Sequence, residues 1–173
     1  ALGRITLDEE AEKAPDYAQG INKIIVKVLC GANITLALLV DGQLYISGTF
    51  KDQEGILGIL PKKKFEQIFS KYIPASKFKI SDIAVGENHV KQIAEGLHHT
   101  LVLQENGYVF SFGHSNYGSL GPSKISHDKK ITFSTRIEKL ENCNFIATGN
   151  FHSIAVDKEE NIYIWGYGDT FAL

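Results

Sequence analysis

A three-strand pattern occurs three times in this chain and limits the fold more than any other feature. Each copy carries two glycines 17 residues apart, at Gly31 and Gly48, Gly96 and Gly113, and Gly149 and Gly166. The short runs between them are rich in β-branched and aromatic residues, which is typical of antiparallel strands. One such unit cannot bury both of its faces, whereas units stacked around an axis can. We therefore predict an all-β fold, a β-propeller of four-stranded antiparallel blades, with about three to four blades represented in the chain.

A polar pair separates the second and third strands of each copy: Asp41-Gly42, Asn106-Gly107 and Glu160-Asn161. Asp-Gly and Asn-Gly between apolar runs are strong hairpin signals, because a two-residue hairpin turn needs φ > 0 at both central residues. We expect a tight hairpin of this kind in each copy.

The spacing of the copies breaks at one place. A further copy begins at Ile80 and stops at His89, and the next copy starts at Val90, so that Gly86 and Gly96 are only ten residues apart. No blade fits in ten residues. Either a segment is missing there or the protein has been shortened, and we expect one or more blades to be missing between 89 and 90. Residues 1–173 then form a single, incomplete β-propeller domain. The absence of methionine fits a fragment, or a sequence with residues omitted.

Composition excludes several classes of function. The net charge is −2 and the pI about 6.3, which argues against a chain that grips nucleic acid through bulk positive charge. Cys30 and Cys143 form no C-x-x-C pair, so no zinc or redox motif is present. Neither a signal peptide nor an apolar run of membrane-spanning length is found. A reducing compartment, the cytosol or the nucleus, is the expected location.

One segment does not repeat. Between Gly48 and Gly58 the chain reads GTFKDQEGILG, in which an aromatic residue is followed by a charged tip and a glycine. From the residues alone this segment is a solvated loop. An element that departs from an otherwise repeating scaffold is nevertheless a reasonable place to look for function. The candidate residues are Thr49, Phe50, Lys51, Asp52, Gln53, Glu54 and Gly55.

The segment GLHHTLVLQENGYVFSFGHSNYGSLG, residues 96–121, resembles the repeat of the regulator of chromosome condensation family. That resemblance implies a seven-bladed propeller. GTFKDQEGILG is similar to the segment that, in the founding member, forms a protruding β-wedge against the small GTPase Ran and helps to expel its nucleotide. The resemblance therefore implies a nuclear guanine-nucleotide exchange factor for Ran, with nucleosomes or chromatin as a further partner of the family. Exchange involves no covalent chemistry.

A second set of candidates lies in the turns after the first strands. We expect these turns to cluster on one face of the propeller, and the resemblance implies that this face meets the GTPase. Asn33 and Asn88 fall where the family has an acidic residue, and His98 falls on a matching histidine. The candidate residues of this face are Asn33, Glu87, Asn88, His98 and Asn150. His99 and His152 are expected to be structural and to hold their turns by hydrogen bonds to backbone.

Two rival functions stay open. A propeller of the same family could act only as a protein-interaction platform, which has no reason to keep the 50–55 insertion. An enzyme could use the histidine-bearing face, although no nucleophile, base and orienting acid are visible as a set. The sequence predicts no catalytic residue, no cofactor, no metal site, no membrane contact and no small-molecule substrate.

Overall fold

Twelve β-strands and one short 3-10 turn make up the described part of the computed structural model, which covers residues 23–32, 34–48, 50–52, 55–57, 88–114, 116–121 and 130–168. The strands are β1 (Ile25–Cys30), β2 (Ile34–Leu39), β3 (Leu44–Gly48), β4 (Phe50–Asp52), β5 (Gly55–Leu57), β6 (Val90–Glu95), β7 (His99–Gln104), β8 (Val109–His114), β9 (Lys130–Arg136), β10 (Cys143–Thr148), β11 (His152–Asp157) and β12 (Ile162–Gly166), and the turn is Asn116–Gly118.

The strands form three antiparallel meanders and one separate hairpin. Blade A has the order β1-β2-β3, blade B the order β6-β7-β8-β9, and blade C the order β10-β11-β12, while β4 pairs only with β5. These are the predicted blades of an all-β propeller, which confirms the predicted fold class, and blade B shows the four-stranded form in full. No helix in the described residues is long and apolar enough to cross a membrane.

The repeat extends to irregular backbone features. The first strand of every blade carries a register shift at its start, between Ile25 and Lys27, between Val90 and Gln92, and between Cys143 and Phe145. A shift of this kind is a β-bulge, which bends the strand and increases its twist. The same distortion at the same place in three blades indicates that it belongs to the repeating unit.

A backbone hydrogen bond from the first residue of a blade to the hairpin glycine of the preceding blade occurs at both junctions. The amide of Val90 donates to the carbonyl of Gly42 at 3.3 Å, and the amide of Cys143 donates to the carbonyl of Gly107 at 3.0 Å. The two bonds join equivalent residues, so blade B follows blade A in the ring as blade C follows blade B. Residues 58–87 lie outside the described residues, and a missing segment between 89 and 90 stays a prediction.

The three hairpins are present, but their turns differ from the prediction. Gly42 donates to Leu39 O and Leu39 donates to Gln43 O, each at 2.9 Å. The loop therefore has three residues, of which one adopts a left-handed conformation. This is a common hairpin class and is compatible with the right-handed twist of the strands. In blades A and B the left-handed residue is Gly42 (φ 74°) or Gly107 (φ 85°), and in blade C it is Glu160 (φ 66°). The expectation of positive φ at both central residues was therefore wrong.

The hydrophobic core lies between the blades in two layers. Successive residues of a strand point to opposite faces, so each blade has a backward face toward the preceding blade and a forward face toward the next. In β7, Val102 points backward, whereas Leu101 and Leu103 point forward. The layer between blades A and B contains Ile34, Leu36, Leu38, Leu44, Val90, Ile93, Val102 and Phe112. The layer between blades B and C contains Ala94, Leu101, Leu103, Val109, Ile137, Leu140, Cys143, Ile146 and Ala155.

Candidate protein-binding edge

Short turns and loops from all three blades meet at one end of the strands, which we call the turn edge. A two-residue turn joins the first and second strands of each blade and is closed by a hydrogen bond from the glycine amide: Gly31 N to Ile34 O, Gly96 N to His99 O, and Gly149 N to His152 O, at 2.8–3.0 Å. The third strands end at the same level, because Gly48, Gly113 and Gly166 pair with Ile34, His99 and His152. The chain that follows each third strand therefore starts at the turn edge.

The non-repeating segment begins at this edge in blade A. It forms a two-stranded ladder in which Phe50 pairs with Leu57, Lys51 with Ile56 and Asp52 with Gly55. Blade B has the 3-10 turn Asn116–Gly118 at the corresponding place, and its Leu-Gly pair comes two residues sooner after the third strand. The two extra residues in blade A allow a hairpin where blade B has a single turn. Thr49, Gln53 and Glu54 lie outside the described residues.

The structure brings His98 and Asn150 together. The amide of Leu97 donates to the carbonyl of Asn150 at 3.1 Å, so the turns of blades B and C are bonded to each other. The carbonyl of His98 accepts from the amide of His114 at 2.8 Å, which fixes the turn to the end of β8. His98 is half-buried and Asn150 is exposed. Two polar residues thus lie on neighbouring turns that are hydrogen-bonded to each other.

Asn88 does not belong to this surface. It is exposed, and the next residue, His89, lies at the far end of the blades, where its Nδ1 is 2.7 Å from Asp41 O and its carbonyl accepts from Glu105 N at 3.0 Å. The six residues of β6 separate Asn88 from His98, a distance of roughly 20 Å at the usual rise per residue. The expectation that all these turns cluster on one face was wrong for Asn88, because this segment leads into β6 rather than into a hairpin of its own. Asn33 and Glu87 lie outside the described residues.

His99 is a buried structural residue. Its Nε2 lies 2.9 Å from Ser153 Oγ, and Ser153 Oγ donates to Ser119 O at 2.9 Å. Because the serine proton is used in that bond, we assign the proton of neutral His99 to Nε2, which donates to Ser153. Burial, with smaller contributions from His152 and His98, lowers the pKa of His99 to about 4. The structural interpretation of His99 is supported: its partners in the next blade are the Ser153 hydroxyl and the backbone of His152, whose hydrogen bond opposes the fall in pKa.

Sequence reasoning missed Glu95, which lies just below the turn edge between blades A and B. Its Oε2 accepts from the hydroxyl of Thr100, while its buried Oε1 has no hydrogen-bond partner among the described residues. Burial raises the pKa of Glu95 to about 8, and the bond from Thr100 opposes that rise. A Cβ added at Gly31 would collide with Oε1, so the carboxyl group packs against the turn of blade A. The available signal was a single acidic residue next to the glycine that ends an otherwise largely apolar strand.

No group of three histidine, cysteine, aspartate or glutamate side chains that could hold a metal ion occurs among the residues that the structure describes.

Comparison with known proteins identifies the repeat. The family model for the regulator of chromosome condensation (RCC1) repeat matches residues 80–119. The guanine nucleotide exchange factor SRM1 of Saccharomyces cerevisiae is 30% identical over 156 residues, which are 90% of this chain and 30% of that protein. The regulator of chromosome condensation of Xenopus laevis is 31% identical over 121 residues, 70% of this chain and 26% of that protein. The human E3 ubiquitin-protein ligase HERC2 is 30% identical over 149 residues, but only 3% of its length is covered.

A solved structure agrees with these relatives. Prp20p of Saccharomyces cerevisiae, whose crystal structure was described with its binding to Gsp1p and histones, superposes with a TM-score of 0.67 at 28% identity. The match covers 83% of this chain and 31% of that chain. The chain thus spans about a third of the length of SRM1 and Prp20p, about a quarter of the Xenopus protein and a small part of HERC2.

Proposed function

Since this chain belongs to the regulator of chromosome condensation repeat family, we propose that it is a guanine-nucleotide exchange factor for the small GTPase Ran and that the β4–β5 hairpin acts as its wedge. The observation that carries this proposal is the separate β4–β5 ladder, which starts at the turn edge in place of the turn found in blade B. The similarity to a protein named as an exchange factor supports it.

The proposed mechanism is non-covalent. An exchange factor must bind the nucleotide-free GTPase more tightly than the loaded one, and linkage then requires it to weaken nucleotide binding by the same factor. A small GTPase holds its nucleotide through a phosphate-binding loop and Mg²⁺. An element that displaces this phosphate-binding loop must keep its own conformation while it is in contact with the GTPase. A hairpin with three paired positions, Phe50↔Leu57 to Asp52↔Gly55, keeps its shape better than an unpaired loop of the same length.

The turn edge supplies the rest of the proposed surface. His98 and Asn150 lie on turns that are hydrogen-bonded to each other, so little side-chain and backbone freedom is lost when a partner binds there. Asn33 belongs to the corresponding turn of blade A by sequence. Asn88 is left out of this surface because it lies at the opposite end of blade B.

Release of a fluorescent GDP analogue from Ran, with the 173-residue chain in catalytic amounts, tests the proposal. Deleting Lys51 to Glu54 should slow release by roughly 100-fold, the scale expected for loss of a central interface anchor. Asn88→Ala, at the far end of blade B, is the matched control and should exchange at the parent rate. Circular dichroism and thermal melting should show the same fold for all three proteins. A deletion variant that exchanges as fast as the parent would rule out the hairpin as the wedge.

A protein-interaction platform is the second candidate. The similarity to HERC2, a ubiquitin ligase by name, shows that the same kind of repeat occurs in proteins with another role. On this alternative the chain binds a protein at the turn edge without accelerating nucleotide release. Ran that is retained by the immobilised chain but keeps its nucleotide would favour the platform.

Nuclear location and binding to chromatin are part of the proposal. They rest on the names of the relatives and on the reported binding of Prp20p to histones. Co-sedimentation with reconstituted nucleosomes at 50–200 mM salt tests this part separately, because electrostatic binding to DNA weakens over this range. Failure to bind nucleosomes would leave the exchange activity unaffected and would remove chromatin from the partners.

A further inference from the structure

Three aromatic rings meet at the turn edge where blades B and C join, and we call them the aromatic cluster. Tyr117 of the 3-10 turn packs against Phe151 and Tyr167, with ring centroids 5.8 and 4.3 Å apart. Phe151 and Tyr167 meet edge to face at 6.4 Å, and the amide of Tyr167 donates to Phe151 O at 3.0 Å. Tyr117 is nevertheless 54% exposed. Both blades that flank it are described, and a blade that follows blade C would pack on the other side of blade C.

The aromatic cluster is not part of the repeating unit. Counted from the paired glycines, Phe151 takes the place of His98 in blade B, and Tyr167 takes the place of His114. Tyr117 takes the place of Asp52 in blade A. A blade therefore does not need aromatic rings at these positions in order to pack against its neighbour.

Tyr117 holds a backbone conformation that a tyrosine rarely adopts. Its φ is 61° and its ψ is 26°, in the left-handed region, where a bulky side chain is strained. Residues held in such conformations are concentrated at functional sites. Glycine or asparagine would adopt the same conformation more readily, so the turn itself does not require a tyrosine at this position.

The loop that carries Tyr117 is fixed to blade C. Two residues later, the carbonyl of the buried Ser119 accepts from Ser153 Oγ and from Trp165 Nε1, each at 2.9 Å. A ring that is held in place before a partner arrives loses little conformational freedom on binding. Tyrosine is also among the residues that contribute most to the free energy of binding at protein interfaces.

We propose that the aromatic cluster binds an apolar patch of the GTPase while the β4–β5 hairpin acts on the nucleotide site, an inference that rests on the proposed exchange function. The two elements are close, because Cα atoms of β4 lie within 8 Å of Cα atoms of β8, and the turn after β8 carries Tyr117. The three residues of the cluster carry no charge, so the cluster suits apolar or aromatic side chains of the partner rather than an ion pair.

The cluster contributes to binding of the GTPase and not to release of the nucleotide itself. The hairpin is the element proposed to compete with the nucleotide, whereas the cluster is a separate contact on blades B and C. Such a contact forms with the loaded and the nucleotide-free GTPase alike. An interaction that is equally strong before and during a reaction lowers KM without raising kcat.

Initial rates of fluorescent GDP release at increasing Ran concentrations, with the 173-residue chain as catalyst, test this inference. Tyr117→Asn removes the ring and should raise KM roughly 30-fold, while kcat changes less than about twofold. Tyr117→Phe keeps the ring and should retain the parent KM. Tyr108→Asn, at the hairpin end of blade B, is the matched control and should also retain it.

Thermal melting separates binding from folding. Tyr117→Asn should melt close to the parent temperature, because relief of the left-handed strain offsets the lost ring contacts. Tyr117→Gly replaces this variant if it does not fold. A loss of activity that merely follows a lower melting temperature would make the cluster a structural contact between blades and would overturn the inference.

The kinetic outcomes distinguish this inference from the proposed function. A parent chain that neither binds Ran nor speeds release would overturn both. A parent that exchanges, together with Tyr117→Asn at the parent KM, would overturn this inference alone. A fall in kcat at unchanged KM would also overturn it. If Tyr117→Asn exchanged normally but lost binding to nucleosomes, the cluster would belong to that partner instead.

Discussion

Nε2 of His99 lies 2.9 Å from Ser153 Oγ, and this contact ties blade B to blade C through a buried chain that ends at Ser119 O. Trp165 Nε1 donates to the same carbonyl at 2.9 Å. Three side chains from two blades thus converge on one loop of blade B. The contact makes the packing of the two blades depend on the protonation state of a histidine.

His99→Ala should lower the free energy of unfolding by about 2–4 kcal/mol, because it removes a buried hydrogen bond and leaves a cavity. The measurement is urea denaturation at pH 7. His98→Ala, on the adjacent half-buried residue, is the control and should cost well under half as much. Equal losses for the two variants would contradict the structural role assigned to His99.

The lowered pKa of His99 predicts acid sensitivity. The folded state keeps this imidazole neutral down to about pH 4, whereas the unfolded chain takes up the proton near pH 6.5. Stability should therefore be intact above pH 6.5 and should fall as the pH drops from 6.5 to 4. Denaturation midpoints at pH 7 and pH 5 test this, and the drop should be smaller in His99→Ala.

The raised pKa of Glu95 predicts that the stability of the fold decreases as the pH rises. Its pKa is raised from 4.5 to about 8, so the folded state holds a proton that the unfolded chain releases. Its contribution is fully present below pH 4.5 and is lost as the pH rises through 8. Glu95→Gln should therefore stabilise the protein by roughly 3 kcal/mol at pH 8 relative to its effect at pH 5. The exposed Glu105→Gln is the control, and the same pH dependence in both variants would refute the assignment.

Glu160→Gly should raise the free energy of unfolding by about 0.5–1 kcal/mol. Glu160 holds a left-handed φ of 66° at the position that glycine occupies in blades A and B, and a side chain is strained there. Glu159→Gly, one residue earlier and without positive φ, should lower stability because it only adds freedom to the unfolded chain. Thermal melting of the two variants compares them directly, and the prediction fails if both shift in the same direction.

His98→Ala and Asn150→Ala should each weaken Ran binding by roughly 3–30-fold, the range for polar interface residues outside a central anchor. Because their turns are bonded through Leu97 N and Asn150 O, the double variant should lose less than the sum of the two changes in binding free energy. Isothermal titration with nucleotide-free Ran measures the four proteins of this cycle. Strict additivity would argue against one continuous binding surface.

Repeat spacing was enough to predict the blades, because glycines 17 residues apart bracket strands whose length and alternation are set by local sequence. The turn type could not be read from Asp41-Gly42, since the same pair serves two-residue and three-residue hairpins. Asn88 was misplaced because similarity of GENH to the other turns is local, whereas its position depends on the strand that it enters. Glu95 was missed because its burial comes from the neighbouring blade, which lies far away in sequence.

The bond from the first amide of a blade to the hairpin glycine of the preceding blade has a genetic consequence. Val90 with Gly42 and Cys143 with Gly107 form one interchangeable joint. The addition or loss of a whole repeat at such a joint leaves this backbone bond unchanged, because it depends on no side chain. The number of blades is then set by how many repeats the gene encodes and not by the sequence of any single blade.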